Sequence, residues 1–323
     1  GVQTCALPIF YFMISNLIGI GHSFAVNAVI RPPRAKYDIN KVKNPINIPF
    51  YGPVFRQDAA FNNDRGQKLV GSYYAPNDDT PNIPCVIYLH GNASCQLEGT
   101  FLVPIFVPYG CAVFCYDSSG SGNSEGETIS LGYYETLDLK AAIKFLKDKY
   151  RVGKIGIWGR SMGAATGLIS LHYDEINVAV IDSPFTSLRE MIYEVAKNMP
   201  IPNFFVKAYY PFLKRKIQLI AHFDIDDVNP LESSKTCTKP LFLIHGNEDT
   251  FISYQHSERI FQAYAGLEKH IEIVPGANHN SVRPHYVNIL AILHIANVFG
   301  IKMDIESIPT IEDTSSCFHY ENT

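Results

Sequence analysis

The 323-residue sequence contains no CxxC pair, no zinc-ligand spacing, no internal repeat and no low-complexity tract. Its seven cysteines are Cys5, Cys85, Cys95, Cys111, Cys115, Cys237 and Cys317. An odd number with these spacings supports neither a disulfide framework nor a structural metal. Cys85, Cys111 and Cys115 fall in apolar runs, so buried free thiols in a reducing compartment, the cytoplasm, are expected. Basic charge is not in excess either. The formal net charge is −4, which lacks the basic footprint of a nucleic-acid binder. With 46% hydrophobic and 18% charged residues, the composition is that of a globular chain able to bury a sizeable core.

Charge is missing altogether from Cys5 to Ile30. The run is long enough to span a bilayer. Asn16, His22, Ser23 and Asn27 interrupt it, however, and Gly19 and Gly21 weaken a helix. No basic n-region of a signal peptide precedes it. Gly1–Ile9 (GVQTCALPI) resembles a translated sequencing-adapter remnant, which would place the native start at Met13. The expectation for residues 1–45 is an apolar helix and linker, the helix either packed or lying on a surface, with peripheral membrane contact as its alternative role. Residues 302–323 are polar and acidic and are expected to be poorly ordered.

Between these ends the pattern is regular. Arg31-Pro32-Pro33-Arg34 stops the first helix. Two extended stretches, Val54–Phe61 and Gln67–Tyr74, flank Asn62-Asn63-Asp64-Arg65-Gly66, which has hairpin chemistry. From Cys85 onward, short apolar runs alternate with helical patterns. Cys85–Leu89, Cys111–Tyr116, Ile155–Trp158, Val178–Ile181, Leu241–Ile244 and Ile271–Val274 read as strands; Tyr133–Tyr150 and Met162–Leu171 read as helices. Strands that are nearly all apolar belong to a parallel sheet covered on both faces. The prediction is one doubly wound α/β domain over residues 46–301. Nearly sixty residues interrupt the rhythm after Asp182. They carry two helical stretches, Leu188–Asn198 and Asn203–Ala221, expected to form a small helical lid at about 186–235. Phe204, Phe205 and Tyr209 on the second are candidates to line an apolar pocket, or simply to pack on the domain.

Gly159-Arg160-Ser161-Met162-Gly163 matches GxSxG directly after a strand and opens a helix rich in small residues, the setting a nucleophile elbow requires. Ser161 is therefore the candidate nucleophile. A hydroxyl needs a base, and His279, in the loop after the last strand, is the candidate. His90 and His245 precede glycines at strand ends, where a turn role suits them better; His256, His285 and His294 read as helix positions. The base needs a carboxylate to fix its tautomer. Asp249, in the polar loop after Leu241–Ile244, is the candidate, with Glu248 and Asp182 as rivals. An oxyanion hole needs two backbone N–H groups. Met162 is expected to supply one and Asn92 the other, with Ala93 an alternative.

The order Ser161, Asp249, His279, with YLHGNAS, DSSGSGNSEGE, WGRSMGA, DSPF and HGNEDTFI, resembles the α/β-hydrolase superfamily over about residues 30–300. More closely, it is similar to the serine-aminopeptidase-like branch common in protists and plants. The resemblance implies an α/β-hydrolase fold with the lid inserted before the seventh strand, and acyl transfer without metal or cofactor. The family includes lipid esterases, protein depalmitoylases, a few peptidases and members without known activity. Relatives often carry Asp-Arg-Gly where this chain has Asp117-Ser118-Ser119-Gly120. The leading expectation is a serine hydrolase that cleaves an acyl ester or thioester of a small-molecule or acylated substrate, a lipid or fatty-acyl one favoured, through an acyl-enzyme on Ser161. A peptidase on the same triad, with Glu190 or Glu194 capturing a free amine, and a non-enzymatic binding protein are the alternatives.

Overall fold

A computed structural model describes residues 22–76, 80–198 and 202–310, with side chains from residue 25 onward in the first helix. The uncharged run before that helix and the last thirteen residues lie outside them. Ten strands occur in the described residues. They are β1 (Ile46–Ile48), β2 (Gly52–Val54), β3 (Arg56–Asn62), β4 (Lys68–Tyr74), β5 (Cys85–Leu89), β6 (Ala112–Tyr116), β7 (Ile155–Arg160), β8 (Ile176–Asp182), β9 (Leu241–Gly246) and β10 (Lys269–Val274). The helices are α1 (His22–Ile30), α2 (Val103–Phe106), α3 (Tyr134–Tyr150), α4 (Met162–Ser170), α5 (Leu188–Lys197), α6 (Asn203–Ala221), α7 (Pro230–Ser234), α8 (Gln255–Ala263) and α9 (His285–Phe299).

Eight strands form one sheet in the order β10-β9-β8-β7-β5-β6-β4-β3; β1 and β2 form a separate short hairpin. The six strands from β6 to β10 run parallel, while β3 and β4 are antiparallel. This is the doubly wound α/β-hydrolase architecture. The β3–β4 turn closes where the Asn62–Gly66 chemistry predicts: Asn62 pairs with Lys68, and Asn63 N–H donates to Gln67 O. The β1–β2 hairpin has no sequence signature, because three-residue strands leave no periodicity to detect.

Side chains alternate across a strand. In β5, Cys85, Ile87 and Leu89 enter one core cluster with α3 and α4; Val86 and Tyr88 enter the other with α2 and α9. Covering both faces explains why β5 and β6 are buried at every position. A fully buried Val, Leu or Ile side chain contributes about 1.5–3 kcal/mol. Cys85, Cys95, Cys111, Cys115 and Cys237 are buried and free. Burial pushes their thiols up, that of Cys95 to about 12.

A third cluster lies under the insertion that joins β8 to β9. Tyr210, Leu213, Ile217 and Ala221 of α6 pack there with Leu188, Met191 and Val195 of α5 and with Ala25, Val26, Val29 and Ile30 of α1. The described side chains of α1 are thus packed within the protein. Among the described residues no helix is long and apolar enough to cross a membrane. Only the start of the acidic tail, up to residue 310, is described. Ile305–Ser307 forms a 3-10 turn and Ile308 is buried in the second cluster, because one apolar side chain finds a core site amid the polar residues.

Candidate active site

Because β5, β7, β8, β9 and β10 are parallel, their C-terminal ends meet at one sheet edge. Leu89 pairs with Gly159, Arg160 with Asp182, and Val274 with Gly246. Every loop that carries a candidate residue therefore leaves the sheet on the same side, where open α/β sheets place their ligands.

Ser161 caps α4 with φ 54° and ψ −112°, a sparsely populated positive-φ conformation that costs a non-glycine residue free energy of order 1–3 kcal/mol. The surroundings hold it there. Ser161 N–H donates to Asp182 O at 2.9 Å, and Ala165 N–H to Ser161 O at 3.0 Å. The flanking glycines allow the close approach. A Cβ on Gly163 would stand 2.0 Å from Leu89 O, and one on Gly159 2.3 Å from Gly163 O. The sharp turn thereby lifts the hydroxyl to the edge, at the N-terminal end of the helix macrodipole.

His279 Nε2 lies 3.1 Å from Ser161 Oγ, and His279 Nδ1 2.6 Å from Asp249 Oδ2. A carboxylate only accepts, so Nδ1 carries the proton and Nε2 is left to accept from Ser161. Asp249 is buried and also accepts from the N–H groups of Phe251 and Ile252. Burial alone would raise its pKa. Hydrogen bonds from His245 and His279 instead hold its carboxyl well below the usual carboxylate range. The structure thus brings together the three residues singled out as nucleophile, base and acid.

The other candidates have other partners. Asp182 faces Arg283, not His279. His245 braces the acid turn: its Nε2 lies 2.8 Å from Ile252 O and 3.3 Å from Asp249 Oδ2. His90 Nε2 accepts from Ser118 N–H, and His256 Nε2 meets Glu194. Glu190 is held by Arg259 and Thr186.

Met162 is the first residue of α4, so its N–H has no partner within the helix. Asn92 and Ala93 are the central residues of a tight turn in which Ser94 N–H donates to Gly91 O, with Ala93 at φ 60°. Asn92 Oδ1 is buried without a protein partner. Phe204 and Phe205 do not line an enclosed pocket; their rings lie tilted against each other, 63% and 55% exposed. The reason is helical phase: α6 turns Tyr210, Leu213, Ile217 and Ala221 inward, and residues 204 and 205 fall on the opposite arc. Tyr209 is half-buried. Among the described residues no group of three or more His, Cys, Asp or Glu could hold a metal ion.

Two arginines that sequence reasoning passed over clasp the histidine loop by its backbone. Arg160 Nη2 donates to His279 O at 2.8 Å, and its Nη1 lies 3.5 Å from Glu98 Oε1. Glu98 in turn accepts from Gly91 N–H and Tyr88 OH. One ion pair therefore ties the histidine loop to the turn holding Asn92. Arg283 forks onto both oxygens of Asp182 and donates to the carbonyls of Asn278 and Ser281. Asp182 is buried. Burial opposes its charge, but the Arg283 guanidinium outweighs that and holds its carboxyl below the usual range. The only local sign of these partners was an arginine inside GxSxG.

Fold and site define a member of the α/β-hydrolase superfamily. Residues 106–297 match the prolyl oligopeptidase family, and the chain belongs to that family. It is 31% identical over 206 residues to the uncharacterized protein YqkD of Bacillus subtilis, covering 62% of this chain and 66% of that one. It is 26% identical over 203 residues to human alpha/beta hydrolase domain-containing protein 17B, 61% of this chain and 60% of that one. The matches thus span less than two thirds of each of these two relatives. Among solved structures, an esterase from Pyrococcus furiosus superposes with a TM-score of 0.63 at 24% identity, over 84% of this chain and 98% of that one. At that identity the likeness is one of fold.

Proposed function

We propose that the protein is a serine hydrolase that cleaves an acyl ester or thioester through an acyl-enzyme on Ser161. The observation that carries this is the continuous line Ser161 Oγ, His279, Asp249 at 3.1 and 2.6 Å. Ser161 Oγ attacks the carbonyl as its proton passes to His279 Nε2. Asp249 stabilises the imidazolium through Nδ1–H. The N–H of Met162 and one from the 91–93 turn, that of Asn92 or Ala93, receive the oxyanion. His279 then protonates the leaving alcohol or thiol, and a water deprotonated by His279 releases the acid. On its motifs we assign the chain to the serine-aminopeptidase-like branch.

A peptidase on the same triad is the second reading, favoured by the family match. The carboxylates that would capture a free amine count against it: Glu190 is engaged by Arg259, and Glu194 by His256 and Ser253 N–H. The test is labelling by a fluorophosphonate probe, followed by turnover of matched acyl esters, thioesters and aminoacyl amides. Wild type should label and Ser161→Ala should not. Equal labelling of the two would sink the assignment, and faster turnover of the amide would replace the ester reading with the peptidase one.

A further inference from the structure

We propose that the outward face of α6 is a docking surface for an anionic lipid bilayer. Helix α6 is apolar on both sides, and its inward residues Tyr210, Leu213, Ile217 and Ala221 are buried. Outward, Phe204, Phe205, Phe212 and Leu219 are 63%, 55%, 65% and 57% exposed. At about 100° per residue, these four and Ala208 fall within one arc of about 100°. Scattered exposed apolar residues are ordinary, but a contiguous set on one element marks a contact surface.

The distribution of charge selects the partner. The nineteen residues of α6 include Lys207, Lys214, Arg215 and Lys216 and no acidic residue. Lys214 is taken up by Asp224 and Asp226 on the inner side. None of the ion pairs among the described residues involves the other three. By helical phase, Lys207 lies beyond one border of the apolar arc and Lys216 beyond the other, with Arg215 inside it. Apolar side chains bordered by cations form the pattern of a helix lying in a membrane interface. The rings enter the headgroup and acyl boundary, and the ammonium groups meet lipid phosphates.

The helix is presented rigidly. Its inner face is clamped by the third core cluster and by the network of Arg189, Tyr210 and Lys214 on Asp226. From Phe204 to Leu219 the face runs about 22 Å at 1.5 Å per residue. Helix α1 packs on the same α6, and the sequence joined to it carries no charge back to Cys5. The docking surface stands independently of what Ser161 hydrolyses.

The test is co-sedimentation of the full chain with vesicles of phosphatidylcholine alone and of phosphatidylcholine mixed with phosphatidylserine. Wild type should bind the mixed vesicles, more weakly the neutral ones, and less as salt rises. Phe204→Ser with Phe205→Ser and Phe212→Ser should lower binding about tenfold or more, with fluorophosphonate labelling at Ser161 retained. Lys207→Glu with Arg215→Glu should remove the preference for phosphatidylserine. A second measurement avoids any loss of folding in those variants. Phe212→Trp adds one exposed indole to the buried Trp158, and its emission should shift to the blue with mixed vesicles. Absence of that shift, or serine variants that bind like wild type, would overturn the proposal. So would a concentration-dependent dimer, abolished by the serine substitutions, in a protein that ignores vesicles; the face would then belong to a second copy.

Discussion

At the sheet edge around Ser161, charge is hidden and paired. Asp182 meets Arg283, Asp249 meets His279, and Glu98 meets Arg160, each contact crossing between loops far apart in sequence. Along α6 the order is reversed. Large apolar rings are shown to solvent while cations border them. The first region gains geometry at the expense of desolvating ions, since a buried pair adds little net stability over an apolar replacement but is costly to break. The second leaves apolar surface uncovered that the fold itself does not need. Positioning and recognition are thus assigned to separate elements, joined through the apolar cluster that holds both Met162 and the inner face of α6.

Substitutions sharpen this contrast. Arg283→Met should have the largest effect, because it strands the buried carboxylate of Asp182. A loss of about 3–5 kcal/mol in urea unfolding is expected. The sign with pH follows from the lowered pKa of Asp182. In wild type the stability it contributes is present above the ordinary carboxylate pKa of about 3.9 and is lost as pH falls through the folded value. Without Arg283 burial dominates and raises that pKa, so the deficit of the variant should shrink on acidification. A deficit that is flat with pH would break the argument.

Arg160→Met comes next. Loosening the histidine loop should lower kcat about tenfold with KM nearly unchanged, and Arg160→Lys should restore part of it through one remaining bond to His279 O. Equal losses in kcat and KM would place Arg160 against the substrate instead. The smallest effect belongs to α6. Phe204→Ser or Phe212→Ser should change unfolding free energy by no more than about 0.5 kcal/mol. A larger loss would mean that these rings hold the fold together.

The same contrast explains what was legible in the sequence. The elbow is local: a strand, two glycines and a serine within five residues announce a conformation that backbone sterics require. Asp249 and His279 were recognisable because parallel strands send all their C-terminal loops to one edge. The clasp was not. Arg160 and His279 are 119 residues apart and Arg283 and Asp182 are 101 apart, and no periodicity links such pairs. The aromatic content of α6 was plain, but its direction was not, because a helix apolar on both sides has no phase to read. In the sequence Asp182 is a rival acid; its register beside Arg160 is a property of the sheet alone.

The buried thiols have a consequence of another kind. Cys85 on β5, Cys115 on β6 and Cys111 just before it lie in the interior with their pKa values pushed up, so a reagent that needs the thiolate finds neither access nor charge while the sheet is closed. The protein therefore carries its own recorder of breathing. Modification of those three sulfurs keeps time with opening of the central strands, and their silence reports that the sheet has stayed shut.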